Sequence, residues 1–272
     1  MNQVVILAGG HGNRMKAAIP KPMLQVLDVP MLGWVIRACE GAGLSRICVV
    51  TGYKAQYVEL YLGDRYRTAL QAEQLGTGHA VMQAEKFMKE FTDGNTLVLC
   101  GDAPFMDSET IANALKLHEA QENAVTVITA NLEQPKGYGR ILRTETGIAA
   151  IVEEKDATEA QREIHEVNSG AYWFKTKALL ELLGGLSQSN AQGEYYLTDT
   201  VGLALEHGWK ASAYRSENPD VILGANTRKD LLHLNKVAQE RVLDKHMENG
   251  VNFVSTDGII IGNDVEIGAE TT

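Results

Sequence analysis

The first residues with the right chemistry for a binding site lie in a glycine-rich turn that directly follows a short apolar run. Gly9, Gly10 and Gly12 have no side chains, so their backbone N–H groups can approach a phosphate closely. Arg14 adds a guanidinium that can donate two parallel hydrogen bonds. No Gly-Lys-Ser/Thr sequence follows, which excludes a P-loop, and Met15 replaces the third glycine of a dinucleotide fingerprint. A tight turn without a ligand is the alternative that a glycine cluster alone leaves open.

The charge around this turn differs from the charge of the whole chain. Residues 1–25 contain three cations, Arg14, Lys16 and Lys21, and no Asp or Glu, whereas the full chain has a net charge of −10. A local excess of cations beside a glycine turn favours a small polyanion such as a nucleoside triphosphate. The negative overall charge argues against nucleic acid or an anionic membrane surface as a partner.

Lys21 and Asp102 add chemistry that suits the transfer of a phosphate group. Lys21 lies between Pro20 and Pro22, whose fixed φ angles restrain the backbone and preorganise the ammonium. Asp102 follows Gly101 just after an apolar run, where a carboxylate can bind Mg²⁺. A solvated surface lysine and a turn-forming or helix-capping aspartate remain the alternatives for each residue taken alone.

Alternating strands and helices must position these residues. The apolar runs typical of strands buried on both faces are residues 4–7, 47–50, 97–99 and 125–128. Helical spacing occurs at residues 31–42, 55–62, 79–87 and 111–118, with Asp107 or Ser108 as the cap of the last. This alternation predicts an α/β fold with a Rossmann-like, mostly parallel sheet flanked by helices. Sites in such folds lie at the carboxyl ends of the strands.

The second half of the chain has a different pattern. Between residues 135 and 221, glycine-containing turns separate short strand candidates such as 171–174, and we interpret this region as insertions over the active edge of the sheet. Residues 227–249 predict one long helix that leaves the domain as a connector. Residues 261–266 and 267–272 are two hexapeptides that begin with Ile-Gly, the period of a left-handed parallel β-helix, although two copies can also arise by chance.

The cysteines and the N-terminus indicate where the protein works. Cys39, Cys48 and Cys100 form no Cys-x-x-Cys pair, which favours reduced thiols in a cytoplasmic protein and argues against structural zinc. The apolar run at residues 4–8 has no basic residue before it and no cleavage site after it, so we expect no signal peptide. No run approaches the roughly 20 apolar residues of a membrane span.

Several motifs together resemble a known family. Residues 7–10 with Arg14 and Lys21, residues 71–80, and Gly101-Asp102 resemble the sugar-phosphate nucleotidyltransferases. The stretches similar to the N-acetylglucosamine-1-phosphate uridyltransferase family are residues 137–141, 152–157, 166–170 and 190–199. The resemblance covers essentially the whole chain. It implies transfer of UMP from UTP to N-acetylglucosamine 1-phosphate, giving UDP-N-acetylglucosamine, a precursor of peptidoglycan, and pyrophosphate.

The resemblance also implies a role for individual residues, each of which has an ordinary structural explanation when taken singly. The residues implied to bind substrate are Leu7, Ala8, Gly9, Gly10 and Gly101 at the nucleotide, Gln71, Gly76 and Thr77 at the uracil, and Gly139, Glu153 and Asn168 at the N-acetylglucosamine. Arg14, Lys21 and Asp102 are the implied catalytic residues, with Mg²⁺ on Asp102 and Asn226. Because the attacking phosphate oxygen is already an anion, catalysis requires alignment and charge neutralisation without a general base.

This chain departs from the family pattern at three positions. His11 and Asn13 replace the usual Lys and Thr of the glycine loop, and Cys100 replaces a usual Tyr. These changes bear on the choice of sugar, so a uridylyl- or thymidylyltransferase for another hexose 1-phosphate is one alternative. A non-catalytic regulatory subunit that binds nucleotide sugars is a second alternative, against which the intact Arg14 and Lys21 argue. A glycosyltransferase is less favoured, since Cys100-Gly101-Asp102 offers only one carboxylate for a metal.

The resemblance divides the chain into three predicted segments. Residues 1–226 are the predicted uridyltransferase domain, residues 227–250 a connecting helix, and residues 251–272 the first coils of a left-handed β-helix. In the family the complete β-helix is an acetyltransferase, so we expect this chain, read as a shortened form of a bifunctional enzyme, to lack acetyl transfer. The resemblance implies that full-length relatives form trimers through the β-helix. For this chain, which is read as having only the first coils of that β-helix, a monomer is the alternative.

Overall fold

The apolar runs form the strands of one large sheet in the computed structural model, which describes residues 1–145 and 147–272. The strands of this sheet are β1 (Gln3–Leu7), β4 (Ile47–Thr51), β5 (Arg67–Leu70), β6 (Asn95–Cys100), β7 (Val125–Asn131), β8 (Arg140–Thr144), β9 (Gly147–Val152), β10 (Glu166–Lys175) and β11 (Ala211–Arg215). The short strands β2 (Gln25–Val26) and β3 (Val29–Pro30) pair with each other as a separate two-stranded sheet. The α-helices are α1 (Met31–Gly41), α2 (Ala55–Leu62), α3 (Thr77–Gln83), α4 (Glu85–Met88), α5 (Ser108–Ala120), α6 (Glu159–Arg162), α7 (Thr176–Gly184), α8 (Asp199–Glu206) and α9 (Arg228–Glu248). The predicted strands and most predicted helices are confirmed.

The sheet brings the functional loops to one edge. Its order is β11-β7-β10-β6-β1-β4-β5, and β1 pairs in parallel with both β4 and β6. In the register of these pairs, Leu7 lies opposite Val50 on one side and Cys100 on the other. The loops that follow β1, β4 and β6 therefore emerge together at the carboxyl ends of the strands, and the prediction of a mostly parallel α/β sheet is confirmed.

Strand β10 lies inside this sheet, between β6 and β7 and antiparallel to both. The interpretation of residues 135–221 as insertions over the sheet edge is therefore wrong for this strand. Its residues 171–174 are fully buried, because Trp173 contributes to the core cluster on one face of the sheet and Tyr172 and Phe174 to the cluster on the other. The hairpin of β8 and β9 is attached to the first half of β10 through Val167 and Arg140.

One predicted helix is two helices in the structure. The segment from 79 to 87 is divided between α3 and α4 at Ala84, which ends the first helix and precedes the second. The N–H of Ala84 donates to the carbonyl of Val81, three residues earlier, at 3.0 Å. This 3-10 type of hydrogen bond tightens the last turn of α3 and ends the helix. Both helices still cover the same face of the sheet, since Val81 and Met88 belong to one core cluster.

Helix α9 starts as predicted and packs against the domain, and its role as a connector remains a prediction. Its capping box is complete, because the Asp230 N–H donates to Thr227 Oγ1 at 3.2 Å and the Thr227 N–H donates to the Asp230 carboxylate at 2.8 Å. The helix then lies against the domain, where Leu234 and Ala238 share a core cluster with Met15. Leu234 and Ala238 are four residues apart and therefore lie on one face of the helix, which explains why α9 packs against the domain.

The last residues fold back on themselves without forming a strand. Residues 251–272 contain only turns and bends, and the Asn252 N–H donates to the carbonyl of Thr271 at 2.8 Å. Arg37 of α1 holds the segment through a two-point ion pair with Asp264, the shorter contact being 2.7 Å. The assignment of these residues to a β-helix remains a prediction. None of the helices in the described ranges has the length and apolar character that a bilayer span requires.

Candidate active site

A cavity of about 560 Å³ opens at the carboxyl edge of β1, β5 and β6. The predicted residues that line it are Leu7, Gly9, Gly10, Arg14, Lys21, Gln71, Gly76, Thr77, Asp102 and Asn226. They come from loops far apart in sequence, which the parallel register gathers at one place. The cavity is therefore the point where the predicted phosphate, base and metal residues meet.

A cluster of two cations and two oxygen-bearing side chains forms the polar end of the cavity. The Lys21 ammonium contacts the Asp102 carboxylate and donates to Asn226 Oδ1 at 3.0 Å. Arg14 Nη2 donates to the same Asn226 oxygen, also at 3.0 Å. Lys21 is largely buried, with 16% of its side chain exposed, whereas the Arg14 contact is open to solvent. Two positive charges thus converge beside the glycine loop, as the sequence predicts.

Local sequence explains why these side chains converge. Gly12 has φ +58°, and a Cβ added there would lie 3.0 Å from Lys21 Cβ, so only glycine lets the loop fold onto Lys21. Lys21 opens a short 3-10 helix, Lys21–Met23, preceded by Pro20. On the other side, the Gly101 N–H donates to the Leu7 carbonyl at 2.9 Å and fixes the turn that carries Asp102.

The oxygens of Asp102 and Asn226 lie close together, because both contact Lys21 Nζ. Hard oxygen donors of this kind suit Mg²⁺, which takes one or two protein ligands and completes its shell with phosphates and water. The described residues contain no cluster of three or more His, Cys, Asp or Glu, so an ion held here would depend on substrate oxygens as well.

The opposite end of the cavity presents amide and backbone groups. Gln71 is 4% exposed, and its Nε2 lies 3.1 Å from the Gly76 carbonyl and 3.2 Å from His79 Nδ1. With the amide nitrogen held inward, Gln71 Oε1 faces Gly9, whose added Cβ would lie 3.0 Å from it. A hydrogen-bond acceptor therefore faces the glycine loop. Thr77 is fixed by accepting the Leu197 N–H at 3.0 Å.

The backbone conformation at position 76 requires a glycine. Its φ is +107°, a conformation that residues with a side chain rarely adopt, and an added Cβ would lie 2.6 Å from the Tyr195 carbonyl oxygen. Gly78, two residues further along the chain, donates its N–H to the same carbonyl at 2.8 Å. The turn that carries Gly76 is thus pressed against the segment around residue 195, which belongs to the 190–199 motif.

The three residues predicted to surround a sugar form a separate group beside this cavity. Gly139 lies next to Glu153: a Cβ added to Gly139 would lie 3.5 Å from both carboxylate oxygens of Glu153. The carbonyl of Gly139 accepts the Asn168 N–H at 2.9 Å. The Asn168 amide is held in turn by the Tyr172 hydroxyl at 2.6 Å. Cys100 connects the two regions, since it lines the cavity and its Sγ lies 3.7 Å from the carbonyl of Gly170.

Burial changes the acidity of this group. Burial is the main cause that raises the pKa of Glu153, and the nearby Asp156 and Asp199 add to it, while the Thr198 side chain opposes the shift. Burial also raises the pKa of the Cys100 thiol to about 12, with the Asp102 carboxylate as a further cause. Cys100 is therefore a neutral thiol at the boundary between the two regions.

Some predicted residues lie behind the cavity surface and some cavity residues were not predicted. Ala8 and Gly101 are not among the cavity-lining residues; the N–H of Ala8 donates to the Val50 carbonyl at 2.8 Å. Gln74 and Glu194 line the cavity without having been singled out, although both fall inside the family motifs. His11 contacts Gln74 Oε1 at 2.8 Å across the cavity. The side chain of Asn13 lies outside the described part of the chain.

Comparisons with known proteins identify the family that this chain resembles. The sequence model of the family described as Nucleotidyl transferase matches residues 3–221. The Bifunctional protein GlmU of Acetivibrio thermocellus is 43% identical over 268 residues, which are 98% of this chain and 58% of that protein. The protein of the same name from Fervidobacterium nodosum is 47% identical over 269 residues, 99% of this chain and 58% of that protein. The chain thus spans less than two thirds of these curated relatives, and they confirm the resemblance that the motifs indicate.

A solved structure supports the fold independently. A Bacillus anthracis crystal structure, described as a candidate glucose-1-phosphate thymidylyltransferase in complex with a sucrose, matches with a TM-score of 0.73. The match covers 94% of this chain and 98% of that chain at 20% identity, so it shows a shared fold.

Proposed function

Because this chain belongs to the nucleotidyl transferase family, we propose that it transfers UMP from UTP to N-acetylglucosamine 1-phosphate. The products are UDP-N-acetylglucosamine and pyrophosphate. The observation that carries the proposal is the convergence of Arg14 and Lys21 on Asn226, with Asp102 beside Lys21, at the end of the glycine loop. The identity of 42–47% to relatives named GlmU supports the choice of substrates.

The cation cluster suits an in-line displacement at a phosphorus atom. A phosphate oxygen of the sugar phosphate attacks the α-phosphorus of UTP, one new P–O bond forms, and the bond to pyrophosphate breaks. The attacking oxygen is already negative, so the protein has to align two anions and reduce their repulsion. Lys21 and Arg14 supply positive charge where the triphosphate and its leaving group would lie, and no covalent enzyme intermediate is required.

The base end of the cavity suits a ring with an N–H between two carbonyls. Gln71 Oε1 faces the glycine loop as an acceptor, because its Nε2 is held by the Gly76 carbonyl. Uracil and thymine offer an N3–H donor to such an acceptor, whereas the N3 of cytosine is itself an acceptor and would leave Gln71 unpaired. This contact supports a uridine or thymidine nucleotide over cytidine.

The group around Glu153 suits the N-acetylglucosamine. The half-buried Glu153 carboxylate and the Asn168 amide offer an acceptor and a polar amide beside Gly139, where hydroxyl and acetamido groups need partners. Cys100 separates this group from the cation cluster, so the sugar and the triphosphate would meet near its Sγ. Burial of these polar groups favours specificity, since a sugar that leaves one of them unpaired binds more weakly.

We also propose that Asp102 and Asn226 hold Mg²⁺ during the reaction. An ion bound there supplies positive charge to the substrate phosphates and orients them. The proposal is supported by the nearness of the two oxygens, both of which contact Lys21 Nζ. We further propose a cytoplasmic location, because the three cysteines are free and free thiols suit a reducing compartment.

A pyrophosphate-release assay across substrate pairs tests the proposal. UTP, dTTP and CTP are each combined with N-acetylglucosamine 1-phosphate and with glucose 1-phosphate, with Mg²⁺ present and absent. We expect release with UTP and N-acetylglucosamine 1-phosphate that depends on Mg²⁺. A preference for glucose 1-phosphate would instead favour the alternative hexose enzyme, and no release with any pair would favour a non-catalytic nucleotide-sugar-binding protein.

A further inference from the structure

The first turn of helix α9 holds Asn226 through Asp230, a capping-box residue that lies outside the family motifs. Asp230 accepts the N–H of Asn226 at 2.9 Å and the N–H of Thr227 at 2.8 Å, both with the same carboxylate oxygen. A carboxylate at a helix N-terminus is stabilised by the unpaired N–H groups and the helix dipole. The backbone of Asn226 is therefore fixed by a charged group rather than by the chain alone.

Asn226 in turn receives hydrogen bonds from both cations of the site. Its Oδ1 accepts from Arg14 and from Lys21, at 3.0 Å each. A displacement of its backbone would move that oxygen away from both donors. The Asp230 carboxylate thus acts on the cation cluster through one intervening residue.

A further contact ties the same helical turn to the site. Arg228 Nε donates to the carbonyl of Met15 at 3.0 Å, which holds the 3-10 helix that carries Arg14. The turn therefore contacts the segment that follows the glycine loop.

We propose that Asp230 is a positioning residue that sets the place of Asn226 Oδ1, and thereby the affinity of the site for Mg²⁺ and the triphosphate. This inference rests on the proposed function. Residues one contact removed from a metal ligand typically change metal affinity or activity by about 10- to 100-fold when they are replaced. Asp230 differs from an ordinary helix cap because one of its two bonds goes to Asn226, outside the capping box.

The capping box provides a matched control. Thr227→Ala removes the other half of the box, the bond from the Asp230 N–H to Thr227 Oγ1, but leaves the bond from Asp230 to Asn226 in place. Asp230→Ala removes both bonds of the carboxylate. The two variants lose comparable helix-capping interactions, so they separate a purely structural role from a positioning role.

The experiment measures Mg²⁺ dependence and nucleotide binding in parallel. For each variant, the Mg²⁺ concentration at half-maximal activity and the Kd of UTP, by calorimetry with and without Mg²⁺, are determined. We expect Asp230→Ala to raise both the half-maximal Mg²⁺ concentration and the Mg²⁺-dependent Kd by about 10-fold or more. Thr227→Ala should stay within about 2-fold, and Asp230→Asn, which keeps an acceptor oxygen, should recover most of the loss.

The outcomes that overturn the inference are distinct from those that overturn the function. Equal behaviour of Asp230→Ala and Thr227→Ala in a chain that makes UDP-N-acetylglucosamine would contradict the positioning role alone. Absence of product from the unaltered chain would contradict the proposed function. If Asp230→Ala does not fold, Asp230→Gln is measured instead: it keeps a capping-box partner at a different length, and the same shift in Mg²⁺ dependence is expected.

Discussion

The Lys21 ammonium is paired with the Asp102 carboxylate at the bottom of the cavity, where the loops after β1 and β6 meet. Lys21 is the more buried partner, with 16% of its side chain exposed against 25% for Asp102. The pair places a cation and a candidate metal ligand in direct contact. Its two residues are therefore the first to test.

Lys21→Ala should lower kcat/KM for UTP and N-acetylglucosamine 1-phosphate by about 100- to 1000-fold, because a fixed charge at the transferred phosphate is lost. The fold should persist, since the Lys21 ammonium is a polar contact at a cavity wall rather than part of the core. Lys16→Asn is the matched control: Lys16 is an exposed cation of the same loop with φ +46°, which Asn tolerates. Near-normal turnover in Lys21→Ala, or an equal loss in Lys16→Asn, would remove Lys21 from the mechanism.

Gly76→Ala should impair UTP binding and lower stability. The new Cβ would lie 2.6 Å from the Tyr195 carbonyl at φ +107°, so the turn between Gln71 and Thr77 has to move. A strained backbone position of this kind costs about 1–3 kcal/mol. Gly202→Ala, in helix α8 with open space around its Cβ, should be neutral or stabilising by up to about 1 kcal/mol. Thermal unfolding and the KM for UTP of both variants provide the measurement; an unchanged KM in Gly76→Ala would argue against a base site here.

Binding of the sugar phosphate should weaken at low pH through Glu153. Burial raises the pKa of this carboxyl, so it takes up a proton at a higher pH than an ordinary glutamate and loses acceptor capacity as the pH falls. The KM for N-acetylglucosamine 1-phosphate should therefore rise between pH 7 and pH 5 more steeply than the KM for UTP.

The Glu153→Gln variant isolates this contribution, since the substrate phosphate also titrates near pH 6. The variant should have a higher KM at pH 7, by about 10-fold for a lost charged hydrogen bond, and a flatter pH profile. Glu163→Gln, an exposed neighbour along the chain, should follow the unaltered protein. Parallel profiles for Glu153→Gln and the unaltered protein would show that Glu153 does not titrate in sugar binding.

The stability of the protein should fall in mild acid because of His118. Its side chain is fully buried, Nδ1 pairs with Thr126 Oγ1 at 3.0 Å, and within the described residues Nε2 has no partner. Burial lowers the pKa of His118 to about 4. The unfolded state binds the proton first, so the free energy of unfolding decreases as the pH falls from about 6.5 towards 4, by up to about 3 kcal/mol.

Urea unfolding at a series of pH values measures this effect. His118→Gln should flatten the dependence between pH 6.5 and 4, whatever its effect on stability at pH 7, and His233→Gln on the exposed face of α9 should not. Other groups titrate in the same window, so the comparison is made between slopes. An identical slope in His118→Gln and the unaltered protein would contradict the assignment.

Much of the site followed from local sequence because its determinants are local. The glycine loop is fixed by backbone conformation at Gly12, and the strand register alone brings the turn at Asp102 next to it. Motifs of this kind can be recognised from their residue types and from their position at the carboxyl edge of a parallel sheet. Arg14, Lys21 and Asp102 were therefore predictable from local sequence, whereas the role of Asn226, at the far end of the domain in sequence, was implied only by the family resemblance.

The remaining features depend on long-range packing. The apolar run 171–174 in β10 is consistent with a strand covered on both faces, but only the packing of the whole sheet determines its place between β6 and β7. The docking of α9 likewise depends on Leu234 and Ala238 finding Met15 in a distant loop. In the sequence, Asp230 is recognisable only as part of a helix cap. The structure shows that its carboxylate also accepts the N–H of Asn226.

The most direct test of the account is a single competition reaction. Equimolar UTP and dTTP are mixed with equimolar N-acetylglucosamine 1-phosphate and glucose 1-phosphate in the presence of Mg²⁺, and the four nucleotide sugars are quantified by mass spectrometry. The account predicts UDP-N-acetylglucosamine as the main product, with its formation abolished in Asp102→Ala. A main product that contains glucose or thymidine, or no product with any combination, would contradict it.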